Sequence, residues 1–358
     1  MSTFSENLRA VDLFCGVGGL THGLRRGGID VAAGVDLDSS CRFAYERNNS
    51  PSSFIERDVN LLKAQEVVDL FGNAKIKLLA GCAPCQPFST YSRSDRRKKG
   101  GEAEDGDWSL VASFGRLVRE VQPDLVTMEN VPQLLLHNVF RDFLDALAGY
   151  HVTWTVIDCD RIGVPQKRKR LVLLASRLGS DGLQLPQADM PIETVRAKIA
   201  TLPRLKAGQA DATDRLHVAC KLSPLNLKRI RASKPGGTWR DWPEDLRAAC
   251  HRKSTGETYP SVYGRMEWDG PAPTMTTQCF GYGNGRFGHP EQDRAITLRE
   301  AAILQTFPPD YAFLDEGEKV SFARLGRLIG NAVPVRLGEI IAETFRSHVT
   351  HQISQASH

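Results

Sequence analysis

Several absences narrow the reading first. No apolar run reaches membrane-spanning length, so no helical span is expected. No internal repeat or low-complexity tract is evident, which argues against solenoid, fibrous and disordered classes. Met1–Asn7 is polar and has no signal-peptide pattern, and the 8 cysteines show no framework spacing; a reducing cytoplasm is the expectation. Only one Cys-x-x-Cys occurs, Cys82-Ala83-Pro84-Cys85. With no second Cys-x-x-Cys pair it is a poor zinc site, so no metal is expected. A large excess of either charge is also missing. The net charge is only +4, so its distribution matters more than its sum. Basic residues gather in three places: 93–99, 166–170 and 228–234. Such clusters suit a polyanion, although solvated loops alone would look the same.

What is present centres on Gly81-Cys82-Ala83-Pro84-Cys85-Gln86-Pro87-Phe88-Ser89. Residues 76–80 read as a short buried strand, and the stretch after it is a turn punctuated by glycine and proline. Two prolines flank Cys85 and stiff backbone carries its thiol. A cysteine at the carboxyl end of a strand of an open α/β sheet is a candidate nucleophile.

At 358 residues, one large and one small domain are expected. Strands are predicted near 9–14, 31–35, 54–57, 76–80, 124–128, 152–157 and 171–175. Helices are predicted from the glycine cluster to Arg26, from Ser39 (as N-cap) to Asn48, and over 110–120. This alternation implies an α/β fold, a doubly wound, mostly parallel sheet with helices on both faces. The loop after strand one, Phe14-Cys15-Gly16-Val17-Gly18-Gly19, lets backbone approach a ligand at a helix N-terminus. Asp36, 20 positions past Gly16 at the end of strand two, is placed for a ribose diol, and Asp58, ending strand three, for an adenine amine. The dinucleotide fingerprint would want a small residue where Thr21 stands. Glu129 ends strand five beside the strand presenting Cys85, and adjacent strands lie about 4.8 Å apart. On a strand, Gln166, Arg168 and Arg170 would share a face. From about 179 to 295 periodicity fades, implying a second domain of short strands and long loops. A capping box, Thr297 with Glu300, then opens a helix that Pro308-Pro309 stops.

These motifs, in this order along nearly the whole chain, resemble the DNA cytosine-5 methyltransferases of bacterial restriction-modification systems. The resemblance implies a Rossmann-like S-adenosylmethionine-dependent methyltransferase fold. Residues 1–178 plus 325–358 would form the catalytic domain, and 179–324 a smaller, irregular, β-rich target-recognition domain with a hinge. It assigns Cys85, Glu129, Arg168, Arg170, Gln86 and Asn130 to catalysis. S-adenosyl-L-methionine, released as S-adenosyl-L-homocysteine, would be held by Phe14, Gly16, Gly18, Gly19, Asp36, Leu37, Asp58, Val59, Pro84, Asn331, Ala332 and Val333. Leu37 stands where some members carry an aromatic residue against the adenine. Ser89, Arg93, Arg96, Arg97, Gln166, Thr274 and Thr276 would contact DNA, and residues 90–107 would form a lid. The expected substrate is double-stranded DNA with a flipped cytosine, methylated through a covalent bond between Cys85 and C6. A cytoplasmic, nucleoid-associated monomer is implied, away from membranes and without a stable complex with any cognate restriction endonuclease. An RNA (tRNA) cytosine-5 methyltransferase and a non-catalytic DNA-binding regulator share this architecture and stay open at this point.

Overall fold

The computed structural model describes residues 8–84, 108–186, 190–253 and 259–356. Among these, the chain divides into two compact units. The first comprises Met1–Asp158, Lys169–Gln187 and Val335–His358, and the second Cys159–Arg168 and Ala188–Pro334. This division differs from the expected one in three places, the first being that the first unit runs to Gln187 rather than 178. The return to the first unit comes at Val335 rather than 325, and residues 159–168 group with the second.

The first unit is built on one seven-stranded sheet: β1 Leu8–Leu13, β2 Asp30–Asp36, β3 Ser53–Glu56, β4 Ile76–Gly81, β5 Leu125–Asn130, β6 His151–Asp158 and β7 Lys169–Ser176. The spatial order is β3-β2-β1-β4-β5-β7-β6. The first five strands are mutually parallel, and β7 runs antiparallel to both β5 and β6. Every parallel strand therefore ends on one edge, and β7 begins there. The interior strands read as apolar runs because both faces are covered.

On one face, Val11, Leu13, Val35 and Leu79 pack with Val67 and Phe71 of α3 (Ala64–Phe71), Phe114 and Leu117 of α4 (Ser109–Val121) and Phe143 of α5 (Asn138–Ala146). Helix α4 buries Val111, Phe114, Gly115, Leu117, Val118 and Val121, the three-and-four spacing of one helical stripe. On the other face lie α1 (Gly19–Arg26), α2 (Arg42–Asn49) and the last helix, α10 (Val335–Ala356). Helix α1 meets α10 closely. A Cβ on Gly23 would stand 2.3 Å from the Val335 carbonyl oxygen and 2.6 Å from the Gly338 Cα. Buried His348 fixes the far end of α10, with Nε2 at 2.7 Å from Ser176 Oγ and Nδ1 at 2.7 Å from the Asp181 carbonyl oxygen.

The second unit holds α6 (Val195–Ile199), α7 (Pro224–Ala232), α8 (Leu298–Leu304), α9 (Phe322–Asn331) and several single 3-10 turns. Its described residues contain only isolated β-bridges, so the expectation of a β-rich domain is not met there. Polar chemistry replaces sheet pairing as its organiser. The predicted capping box at α8 is present: Thr297 Oγ1 accepts from the Glu300 amide at 3.1 Å, and Glu300 Oε2 accepts from the Thr297 amide at 2.7 Å. Glu300 is fully buried and also receives both terminal nitrogens of Arg294, each at 2.7 Å. These donors hold its carboxyl below the usual range against the opposing effect of burial. Burial beside them pushes the His289 imidazole down to about 4, so this ring is neutral at physiological pH.

Candidate active site

The glycine loop leaves β1 through two residues of positive φ, Phe14 at 58° and Gly16 at 50°, and Gly18 at 89° caps α1. A non-glycine residue held at positive φ is a mark of imposed conformation. The Gly16 amide donates to Asp36 Oδ2 at 2.9 Å, and the Asp38 amide to Asp36 Oδ1 at 2.9 Å. Asp36 thus ties the ends of β1 and β2 together. Burial raises its carboxyl above the usual range, while these two amides pull it down. Beside it Leu37 is 65% exposed, an apolar side chain displayed next to an acidic one. Asp58 caps a 3-10 turn by accepting from the Asn60 amide at 2.9 Å, and Val59 is buried. Ser39 is not the cap of its segment. Asp38 accepts from the Ser40 amide and opens a 3-10 turn ahead of α2.

Thr21 also finds its reason here. Its hydroxyl donates to Asp12 Oδ2 at 2.6 Å inside the fold, with the Tyr45 hydroxyl 3.2 Å away. Asp12 sits on β1 with its other oxygen buried and without a partner, and burial pushes it up to about 7. The reading of residues 9–14 as a strand passed over this carboxyl, whose signal was a lone acid within the strand. Cys15, also buried, has its thiol pushed well above the usual range by burial, unlike a nucleophile.

Three neighbouring strands meet at the second half of the site. Glu129, the penultimate residue of β5, is 2% exposed. Arg170 Nε, from β7, stands 2.7 Å from its Oε1, an ion contact by distance rather than an aligned hydrogen bond. The Cys82 thiol, just past β4, donates to its Oε2 at 2.6 Å. Asn130 turns toward the same loop, donating to the Ala83 carbonyl at 3.2 Å while its own oxygen receives the Val131 amide at 2.8 Å. Pro84 is exposed beyond it. Cys85, Gln86, Ser89, Arg93, Arg96, Arg97 and the expected lid at 90–107 lie outside the described residues.

The expectation that Gln166, Arg168 and Arg170 share one strand face is corrected. Strand β7 begins only at Lys169. Gln166 and Arg168 precede it, in the second unit, and serve that unit's backbone. Arg168 donates to the carbonyls of Met275, Gly330 and Ala332, and Gln166 is fully buried. Gln166 donates to Leu304 and Gln305 and accepts from the Met275 amide. Arg168 and Gln166 are thus both buried and hydrogen-bonded to backbone within the second unit. Thr274 donates to the Lys167 carbonyl, and Thr276 is exposed. Asn331, Ala332 and Val333 close α9 in the second unit.

Among the described residues, no group of acidic, histidine or cysteine side chains could hold a metal ion, and no helix is long and apolar enough to cross a membrane. The chain resembles solved structures throughout its length. One is a protein encoded within an E. coli prophage (23% identity, TM-score 0.70, covering 96% of this chain and 100% of that one). Another is a DNMT2 mutant of Spodoptera frugiperda (17% identity, TM-score 0.64, covering 94% and 99%). Type II methylase M.HgiDII of Herpetosiphon aurantiacus is 50% identical over 94% of both chains. Type II methyltransferase M1.HphI of Haemophilus parahaemolyticus is 30% identical over 95% of this chain and 87% of its own length. The family of C-5 cytosine-specific DNA methylases matches residues 8–347. A Rossmann-like sheet with a glycine loop on one strand and a buried carboxyl on another, matched in sequence across that span, makes this chain a member of the C-5 cytosine-specific DNA methylase family.

Proposed function

We propose that the protein methylates C5 of a cytosine in a specific duplex DNA sequence, using S-adenosyl-L-methionine, as the modification enzyme of a Type II restriction-modification system. The observation that carries the reading is the buried Glu129 carboxyl, met by Arg170 from one strand and by the Cys82 thiol from the loop leading to Cys85. The cofactor reading is supported by the glycine loop at the same sheet edge. A Cβ at Gly16 would meet nothing within 4 Å, and Asp36 and exposed Leu37 flank that opening. Asp36 would receive the ribose hydroxyls, Leu37 would lie against the adenine, and Asp58 would accept from its amine. The bound cofactor supplies an electrophilic methyl group on sulfonium sulfur.

Cytosine C5 is a weak nucleophile within an aromatic ring. The Cys85 thiolate adds to C6, forming an S–C bond and pushing the ring electrons toward N3. Glu129 gives a proton to N3 and accepts a hydrogen bond from the exocyclic amine, so C5 becomes enamine-like. Arg170 holds the Glu129 carboxyl in place. C5 then takes the methyl group, its proton is lost to a base, and elimination across C5–C6 frees the Cys85 thiolate while N3 returns its proton to Glu129. None of this geometry exists in a stacked duplex, so the target base must be flipped out at a cost of roughly a few kcal/mol. Phosphate contacts would come from the basic residues 93–99, and sequence reading from the second unit.

The reading is tested by incubating the protein with tritiated S-adenosylmethionine and either duplex DNA or tRNA. Label in 5-methylcytosine of the duplex alone is expected. Label confined to tRNA, or none in either, overturns it.

A further inference from the structure

The sequence motif around Cys85 contains a second thiol that the proposed chemistry does not use. Strand β4 pairs with β5 through Gly81 opposite Met128, so Cys82 emerges beside Glu129. Its Sγ is 2.6 Å from Glu129 Oε2, while Arg170 Nε is 2.7 Å from Oε1. The two oxygens of one buried carboxyl are thus met by different groups from opposite sides. That matters because the terminal torsion of a glutamate is soft. A single contact at Oε1 leaves Oε2 free to swing, whereas a hydrogen-bond donor at Oε2 together with the charged contact at Oε1 fixes the plane of the group.

The backbone that carries this thiol is itself held. The Cys82 amide donates to the Leu13 carbonyl at 3.3 Å, at the last residue of β1 before the glycine loop. The next carbonyl, of Ala83, receives Asn130 Nδ2 at 3.2 Å. Cys82 is only partly buried, so its side chain is not there to fill a core. A thiol is both donor and acceptor. It can donate to Oε2 while Glu129 is ionised and accept from it when the carboxyl carries its proton.

We propose that Cys82 is a positioning residue of the methyl-transfer reaction: its thiol fixes the plane of the Glu129 carboxyl that meets cytosine N3 and the exocyclic amine. This rests on the role given to Glu129 above. Cys82 bonds covalently to nothing in the reaction; it acts through Glu129.

The test compares Cys82→Ala, Cys82→Ser and Glu129→Gln in the full-length protein, using single-turnover methylation of duplex DNA, KM values for DNA and S-adenosylmethionine, and melting temperature. Cys82→Ala should lower the rate about tenfold, as misplacement of a reacting group does, with both KM values and the melting temperature nearly unchanged. Cys82→Ser, which keeps a hydroxyl donor, should recover most of the rate. The proposal is overturned if Cys82→Ala turns over at the parent rate, if serine falls as far as alanine, or if the loss comes with a matching rise in KM or fall in melting temperature. Glu129→Gln separates the two levels. If it stays active, the acid role fails and this proposal with it. If it is inactive while Cys82→Ala is normal, only the role of Cys82 falls.

Discussion

The role proposed for Glu129 sets two demands that oppose each other: burial, and enough support to hold the carboxyl in place. A buried carboxyl left without partners is costly, and here the Cys82 thiol and Arg170 supply them. Glu129→Gln keeps the shape and removes the acid, so it should lower kcat by about 10²–10⁴-fold with calorimetric binding of S-adenosylmethionine preserved. Asp36 is the parallel case on the cofactor side. Asp36→Asn keeps an acceptor for the Gly16 amide but loses the charge, and cofactor binding should weaken by about tenfold by calorimetry. Unchanged affinity would remove Asp36 from the pocket. Asp12 gives a pH signature instead. Its carboxyl is raised by burial to about 7 from an ordinary 3.8, with Asp36 adding repulsion and Thr21 pulling down. The folded protein therefore holds this proton where the unfolded chain has released it. The stability it contributes is complete below about 4, declines as pH rises, and is level above about 7. Asp12→Asn should narrow the gap in melting temperature between pH 5 and pH 8. The roles of Asp12 and Cys82 were hidden in the sequence for one reason. Each depends on a partner that only the fold brings near, Thr21 for one and Glu129 for the other.

At the scale of elements, the interior strands of the sheet were legible because strands covered on both faces are apolar runs. Helices α3, α5, α6, α7 and α9 were passed over. The line from Gln166 to Arg170 was misread. Alternation predicts a shared face only where a strand is continuous, and β7 starts at Lys169. The packing of α1 on α10 makes a sharp prediction. Gly23→Ala places a methyl against backbone with no flexible side chain to yield, and should destabilise the fold by about 1–3 kcal/mol in denaturant titration. The buried Arg294–Glu300 pair organises the second unit in the same sense. Arg294→Ala leaves a carboxylate buried without its main partner and should cost about 3–5 kcal/mol. Its effect should be read in unfolding, by circular dichroism, before any assay of activity.

For the molecule as a whole, a net charge of +4 gives little long-range attraction to DNA, so binding should depend on local basic clusters. Affinity for duplex should then fall steeply and linearly in log–log form as salt rises, whatever the sequence of the duplex. The target sequence itself was not legible, because it depends on loop geometry in the least periodic part of the chain. The central claim concerns a single bond. Duplex DNA carrying 5-fluorocytosine in the target sequence cannot lose its C5 substituent as a proton, so a covalent complex should accumulate when S-adenosylmethionine is present. Intact-mass spectrometry should show protein and duplex joined one to one, and Cys85→Ala should show no such species. An adduct that survives Cys85→Ala, or active enzyme that never forms one, would contradict the account.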